Sequence, residues 1–227
     1  MKKFKGLIIE IIILLLVLTG CGKAQDNSIN DKLNAELEYL EDLIFKITNK
    51  YAKDEYTEDE KINWDYIKGD IFNINDAWNS AILDLSKVDI DDNEILKFSS
   101  SLNNLLISVS NQNEGMMISN LNDMYSQIIV FEDSYSNDKI KIERQKIKSQ
   151  VLSTYNFLVQ NQFEQSRIKI EETINNYKEL MNNDEYKEAN KYDLNKVYIL
   201  LLEFRTAIQT QNYDLTRLKY ILAVEEL

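Results

Sequence analysis

The side chains able to do chemistry are few and unevenly placed. The 227-residue chain has no histidine and one cysteine, Cys21. That removes Cys-His and Ser-His-Asp nucleophile pairs, zinc sites of the usual kinds, histidine-supported di-iron centres and histidine-ligated heme. Carboxylates remain. In one cluster, Asp89, Asp91, Asp92, Asn93 and Glu94, the pattern Asp89-x-Asp91-x-Asn93 opens like a calcium loop. Glu94 then stands where glycine is needed, and Ser100 where a bidentate glutamate is needed. Acids at the positive end of a helix explain the same residues. A second group, Asp54, Glu55, Glu58, Asp59 and Glu60, could hold a cation, but acids entering a helix need no ligand either. Trp64 and Trp78, fourteen residues apart, point the same way along one helix and fall on its apolar seam, so they read as core. No catalytic, cofactor-binding or metal-binding residue is assigned.

Cys21 is set apart by what precedes it. Lys2, Lys3 and Lys5 lead into an apolar run from Leu7 to Leu18, followed by Thr19, Gly20 and Cys21. A charged region, an apolar region and small residues before a cut make a secretion signal. The run is about a dozen residues, short of the roughly 20 that span a bilayer. Glu10 interrupts it, leaving Ile11 to Leu18 unbroken, which meets the minimum of about seven. Leu18-Thr19-Gly20-Cys21 resembles the lipobox of bacterial lipoproteins. The resemblance implies cleavage before Cys21 and two or three acyl chains on its residue, enough for stable attachment without crossing the membrane. An uncleaved signal-anchor helix with an incidental cysteine is the competing reading of this segment. The lipobox reading gives a signal peptide at 1–20, a lipidated tether at 21–30 and a folded domain at 31–227.

The elements of that domain follow from spacing. The chain has no proline and five glycines, which predicts long helices with short polar connections. Leu33, Leu37, Leu40, Ile44, Ile47 and Tyr51 recur at steps of four and three, one helical seam. Thr57 with Glu60 reads as a capping box for a second helix along Trp64, Ile67, Ile71, Ile74, Trp78, Ala81, Leu85 and Val88. A third runs through Ile95, Phe98, Leu102, Leu105 and Val109, and a fourth through Met117, Leu121, Met124, Ile128, Phe131 and Tyr135. Residues 137–183 change phase near Gln160 to Gln165 and read as one bent helix or two. The last seam runs from Leu194 through Phe204 and Ile208 to Leu215, Leu218 and Leu222, with Gln211 polar inside it and a break open at Asn212-Tyr213-Asp214. No strand pattern stands out. The expected fold is all-α, an elongated antiparallel bundle of about five to seven helices, with subdomains at 31–136 and 137–227 left open.

Composition narrows the function classes. The formal charge is −12, and becomes −14 without the three lysines and one glutamate of residues 1–20. Such a surface disfavours nucleic acid and anionic lipid headgroups as partners. Segments Ile62-Asn63-Trp64-Asp65-Tyr66-Ile67, Ile82-Leu83-Asp84-Leu85 and Ile95-Leu96-Lys97-Phe98-Ser99, with Trp78, resemble a group of uncharacterised lipoproteins of low-GC Gram-positive bacteria. That resemblance implies lipoprotein status and a helical fold, and carries no catalytic residue. The expected protein is anchored on the extracytoplasmic face of the cell membrane through lipid on Cys21. It is non-enzymatic and binds another envelope protein. A ligand- or cation-binding lipoprotein serving a transporter is the alternative, and an enzyme working with carboxylates alone comes third.

Overall fold

In the computed structural model, residues 27–58, 61–88, 90–189 and 191–227 are described. The Leu18–Cys21 motif, Asp59, Glu60 and Asp89 lie outside them. The described residues form nine helices: α1 (Asn27–Ala52), α2 (Trp64–Leu85), α3 (Asp92–Ser110), α4 (Glu114–Tyr135), α5 (Lys139–Val159), α6 (Phe163–Asn182), the six-residue α7 (Asp184–Ala189), α8 (Lys191–Thr210) and α9 (Tyr213–Glu226). Between α1 and α2, β1 (Thr57–Glu58) and β2 (Lys61–Ile62) pair antiparallel, Thr57 opposite Ile62. The chain is an all-α bundle. No described helix is long and apolar enough to cross a membrane.

Contacts between helices arrange the eight longer ones as two rows of four. α2, α1, α9 and α8 lie side by side in one row, α3, α4, α5 and α6 in the other, and α2 faces α3, α1 faces α4, α9 faces α5 and α8 faces α6. Polar contacts fix the directions. The start of α1 meets the end of α2 through Lys32 and Asp84 at 2.5 Å, and its end meets the start of α2 through Lys50 and Asp70 at 2.9 Å. Tyr135 donates to Asn34 at 2.8 Å, so α4 runs opposite to α1. Asn176 with Gln150 and Lys219 with Glu203 show the same for α6 against α5 and α9 against α8. Four helices, α1, α4, α5 and α9, form the middle square.

The seams enter the core as their spacing predicts. Leu33, Leu37, Leu40, Ile44 and Ile47 are fully buried, as are Phe98, Leu105, Met117, Leu121, Met124, Ile128 and Phe131. Trp78 stacks on Phe98 at 4.1 Å between ring centres and donates its indole N–H to Ser99 at 3.1 Å. It is core, and Trp64 packs partly buried against the same cluster. Phe45 meets Tyr125 edge-on at 4.7 Å in the middle square, and Tyr155 stacks on Tyr220 at 4.1 Å between α5 and α9.

Four expectations need correction. Helix α1 starts at Asn27, within the expected tether, because Ile29 stands four residues before Leu33 and begins the seam. Thr57 lies in β1 and caps nothing; the cap of α2 is Asn63, whose side chain accepts from the Tyr66 N–H at 3.3 Å. The chain also contains a strand pair, too short to show a period of two. The break left open at Asn212-Tyr213-Asp214 is present, α8 ending at Thr210 and α9 starting at Tyr213, and the seam loses its phase there: α9 buries Thr216, Tyr220, Ile221, Ala223 and Val224, and leaves Leu215 and Leu218 exposed. A reversal at Gln211 restarts the helical phase.

That reversal is one of a set. Asp54, Gln112, Asn161 and Gln211 have φ of 56°, 53°, 58° and 53°. At the α3–α4 corner, the Gln112 and Asn113 amides donate to the Val109 and Ser108 carbonyls at 3.0 and 2.8 Å, and Asn113 then caps α4 by accepting from Met116 N–H at 3.0 Å. At α5–α6, Asn161 and Gln162 donate to Leu158 and Phe157 in the same way. Each corner needs one left-handed residue, and the chain places Gln, Asn or Asp there in place of glycine. A left-handed residue with a side chain costs about 1–2 kcal/mol, partly offset by the greater freedom glycine has when unfolded. Gln112→Gly and Gln211→Gly should therefore be neutral to stabilising by up to about 1 kcal/mol, and Gln112→Val destabilising by about 1 kcal/mol or more. Urea midpoints at unchanged slope check this, and a destabilised Gln112→Gly would contradict the corner geometry.

Candidate functional site

At one end of the middle square the last turn of α1, the β1–β2 pair and the first turns of α4 and α9 enclose a cavity of about 170 Å³. Its wall includes Tyr51, Asp54, Tyr56, Glu114, Tyr213 and Arg217. Each is placed by an identifiable device. Tyr51 is the last residue of the α1 seam. The left-handed Asp54 turns the chain back, with Glu55 N–H donating to Lys50 carbonyl at 2.9 Å. Tyr56 is pinned from behind, its hydroxyl donating to Asp70 at 2.6 Å, a carboxylate that also takes Lys46 and Lys50. Glu114 and Tyr213 open α4 and α9, just after the caps Asn113 and Asn212.

Two polar links close the wall. Tyr51 donates to Glu114 in a short hydrogen bond. Arg217, one turn into α9, donates from Nε to the Ala52 carbonyl at 2.8 Å and from Nη2 to Asp54 at 2.5 Å, with Tyr213 5.7 Å from its guanidinium. Beneath them Tyr155 is buried, 1% exposed, and interacts electrostatically with Tyr213 and Tyr51. Its hydroxyl interacts with that of Tyr213 and faces no open space. Burial, reinforced for Tyr51 by Glu114, raises the pKa of Tyr51, Tyr155 and Tyr213 above the ordinary phenol value. These phenols stay protonated at neutral pH, as hydrogen-bond donors and aromatic surface. The arrangement is suited to holding a small polar molecule.

A second polar cluster ties α1 to α4 and α5. Glu41 accepts from Gln145 at 3.1 Å, Lys148 at 3.2 Å and Tyr125 at 3.4 Å. Glu132, 1% exposed, receives Lys141 at 3.4 Å on one oxygen, and its other oxygen has no partner. Burial raises the Glu132 pKa, against the opposing pull of Lys141. The cluster borders an open groove of about 460 Å³ along α5. Its contacts knit three helices.

Of the acidic residues singled out in the sequence, Asp54 alone lines the cavity among the described residues. Glu55 is exposed beside it, and the side chains of Glu58, Asp59 and Glu60 lie outside the description. Asp91 caps α3, accepting from the Asn93 N–H at 2.9 Å, and Glu94 pairs with Lys97 at 2.6 Å. Among the described residues no group of three carboxylates or cysteines is placed to hold a metal ion. Glu114, Tyr155, Tyr213 and Arg217 carried no local signal: Asp54 and Arg217 are 163 residues apart. No protein family, curated protein or solved structure matches the chain.

Glu132 gives a pH signature. A carboxyl whose folded pKa lies above its unfolded value binds its proton more tightly in the folded state, so its contribution to stability falls as pH rises through that interval. Glu132→Gln, which keeps the shape of the protonated acid, should melt higher than wild type at neutral pH, with the gap closing below the ordinary glutamate range. Thermal melts across pH 3–8 check it; equal melting at neutral pH would mean that Glu132 is not penalised by burial.

Proposed function

We propose that this chain is a lipid-anchored extracytoplasmic protein, non-enzymatic, whose helical domain engages another envelope protein. The observation that carries the reading is Cys21 in its setting: three lysines, an apolar run too short to span a bilayer, then Leu18-Thr19-Gly20-Cys21. Helix α1 begins six residues later, at Asn27. Six residues reach at most about 21 Å, so the Asn27 end of α1 lies close to the bilayer surface. The Tyr51 end is about 39 Å further along the 26-residue helix. Acyl chains on Cys21 supply the attachment, and the acidic domain adds none to anionic headgroups.

A surface for a protein partner is available on the outer edge of the array. Phe72 and Leu83 stand three turns apart on the face of α2 opposite its buried stripe, and Leu96 and Ile107 do the same on α3; all four are more than half exposed. Apolar side chains paired on neighbouring helices suit a partner contact better than scattered single residues do.

A second reading, a ligand-binding lipoprotein that serves a transporter, is favoured by the cavity at the Tyr51 end, with Glu114 and three tyrosines in its wall.

Expressed in a Gram-positive host, the wild type should lose residues 1–20, gain acyl mass and fractionate with membranes, and Cys21→Ala should not gain that mass. A Cys21→Ala protein found full-length in the membrane beside a full-length, unacylated wild type would make the segment a signal anchor. A photo-crosslinking residue at position 83 or 96 should give one discrete protein adduct in cells, lost with Phe72→Glu plus Ile107→Glu. No adduct from that edge, with the fold intact, would count against the partner surface.

A further inference from the structure

We propose that the cavity at the Tyr51 end is a binding site for a small organic ammonium ion, with Glu114 as its counter-charge and the rings of Tyr51, Tyr56 and Tyr213 as its walls. The proposal rests on the second reading above, which treats this cavity as a ligand site. Three observations point to a cation.

The first is the charge balance inside the wall. Arg217 is engaged on Nε by the Ala52 carbonyl and on Nη2 by Asp54, so an anion would have to compete with a carboxylate already in place. With Arg217 and Asp54 paired, Glu114 is the charge left over, held toward the cavity by the Tyr51 hydroxyl. The second is the lining. Tyr51, Tyr56 and Tyr213 border the space and Tyr155 lies behind it. Rings around an acidic group suit ammonium compounds, whose charge is attracted to the ring faces as well as to the carboxylate. The third is the field of the whole chain, whose −12 charge concentrates cations near it.

Size limits the ligand further. A cavity near 150 Å³ admits benzene, so one of 170 Å³ takes about seven heavy atoms, the size of choline. Metal ions fit less well, since no three carboxylates converge among the described residues.

The test is calorimetric titration of the full-length protein in non-ionic detergent at low salt, with choline as the probe and glucose and citrate as neutral and anionic comparisons. Choline should bind at one site per chain and citrate and glucose should not. Glu114→Gln should weaken choline about tenfold or more, through loss of the counter-charge. Tyr155→Phe keeps the ring stacked on Tyr220 and alters no group that lines the cavity, so it should leave choline affinity unchanged. Glucose or citrate binding that changes in Glu114→Gln, with choline inert, would overturn the ammonium assignment and leave a ligand site. No binding of any probe to a folded protein would overturn the site as well.

Discussion

Burial of α1 on three sides is the constraint from which the rest of the architecture follows. Its neighbours are α2 in its own row, α9 on the other side and α4 across the layer. Leu43, Ile44, Phe45, Ile47 and Thr48 are all buried within six residues, leaving Lys46 outward. A helix apolar around so much of its circumference has no stable place at the surface of a bundle. It forces α9, the last helix in sequence, back beside the first. Thr48, fully buried, meets this closure with an internal bond to the Phe45 carbonyl at 3.1 Å.

The same closure concentrates polar groups where the two halves meet. Glu41 and Glu132 are drawn into the interface of α1, α4 and α5, and lysines and glutamine from α5 offset much of the cost. At the Tyr51 end the square is closed by turns, and helix ends cannot pack as closely as helix bodies because their caps and reversals project. The cavity is the space left there. Its wall combines Tyr51 from the end of α1 with side chains from the starts of α4 and α9, so one helix C-terminus and two helix N-termini meet at one pocket. That juxtaposition accounts for an arginine, two carboxylates and several phenols lying within one small volume.

Periodicity revealed the helices because each has one dominant apolar stripe, and residues such as Leu37, Phe98 and Ile128 go where the stripe puts them. Corners were harder. The reversals at Gln112, Asn161 and Gln211 use residues that also serve inside helices, so spacing alone leaves a bend and a break equally open at α5–α6 and at α8–α9. Leu215 and Leu218 kept the old spacing by coincidence while the chain had turned. Ile29 is hidden by polar neighbours that resemble a linker. The cavity was not legible at all: Tyr51, Glu114, Tyr155 and Arg217 meet through tertiary packing, and no spacing within one segment brings them together.

If α1 binds the two halves of the array into one structure, the halves must unfold together. Both tryptophans, Trp64 and Trp78, belong to α2, so fluorescence reports on the α1–α4 side, while far-ultraviolet circular dichroism reports on every helix. Urea titration followed by both probes should give coincident midpoints and slopes. A fluorescence transition separated from a second, tryptophan-silent loss of helix would show that α5 to α9 stand alone, and that α1 does not hold the array together.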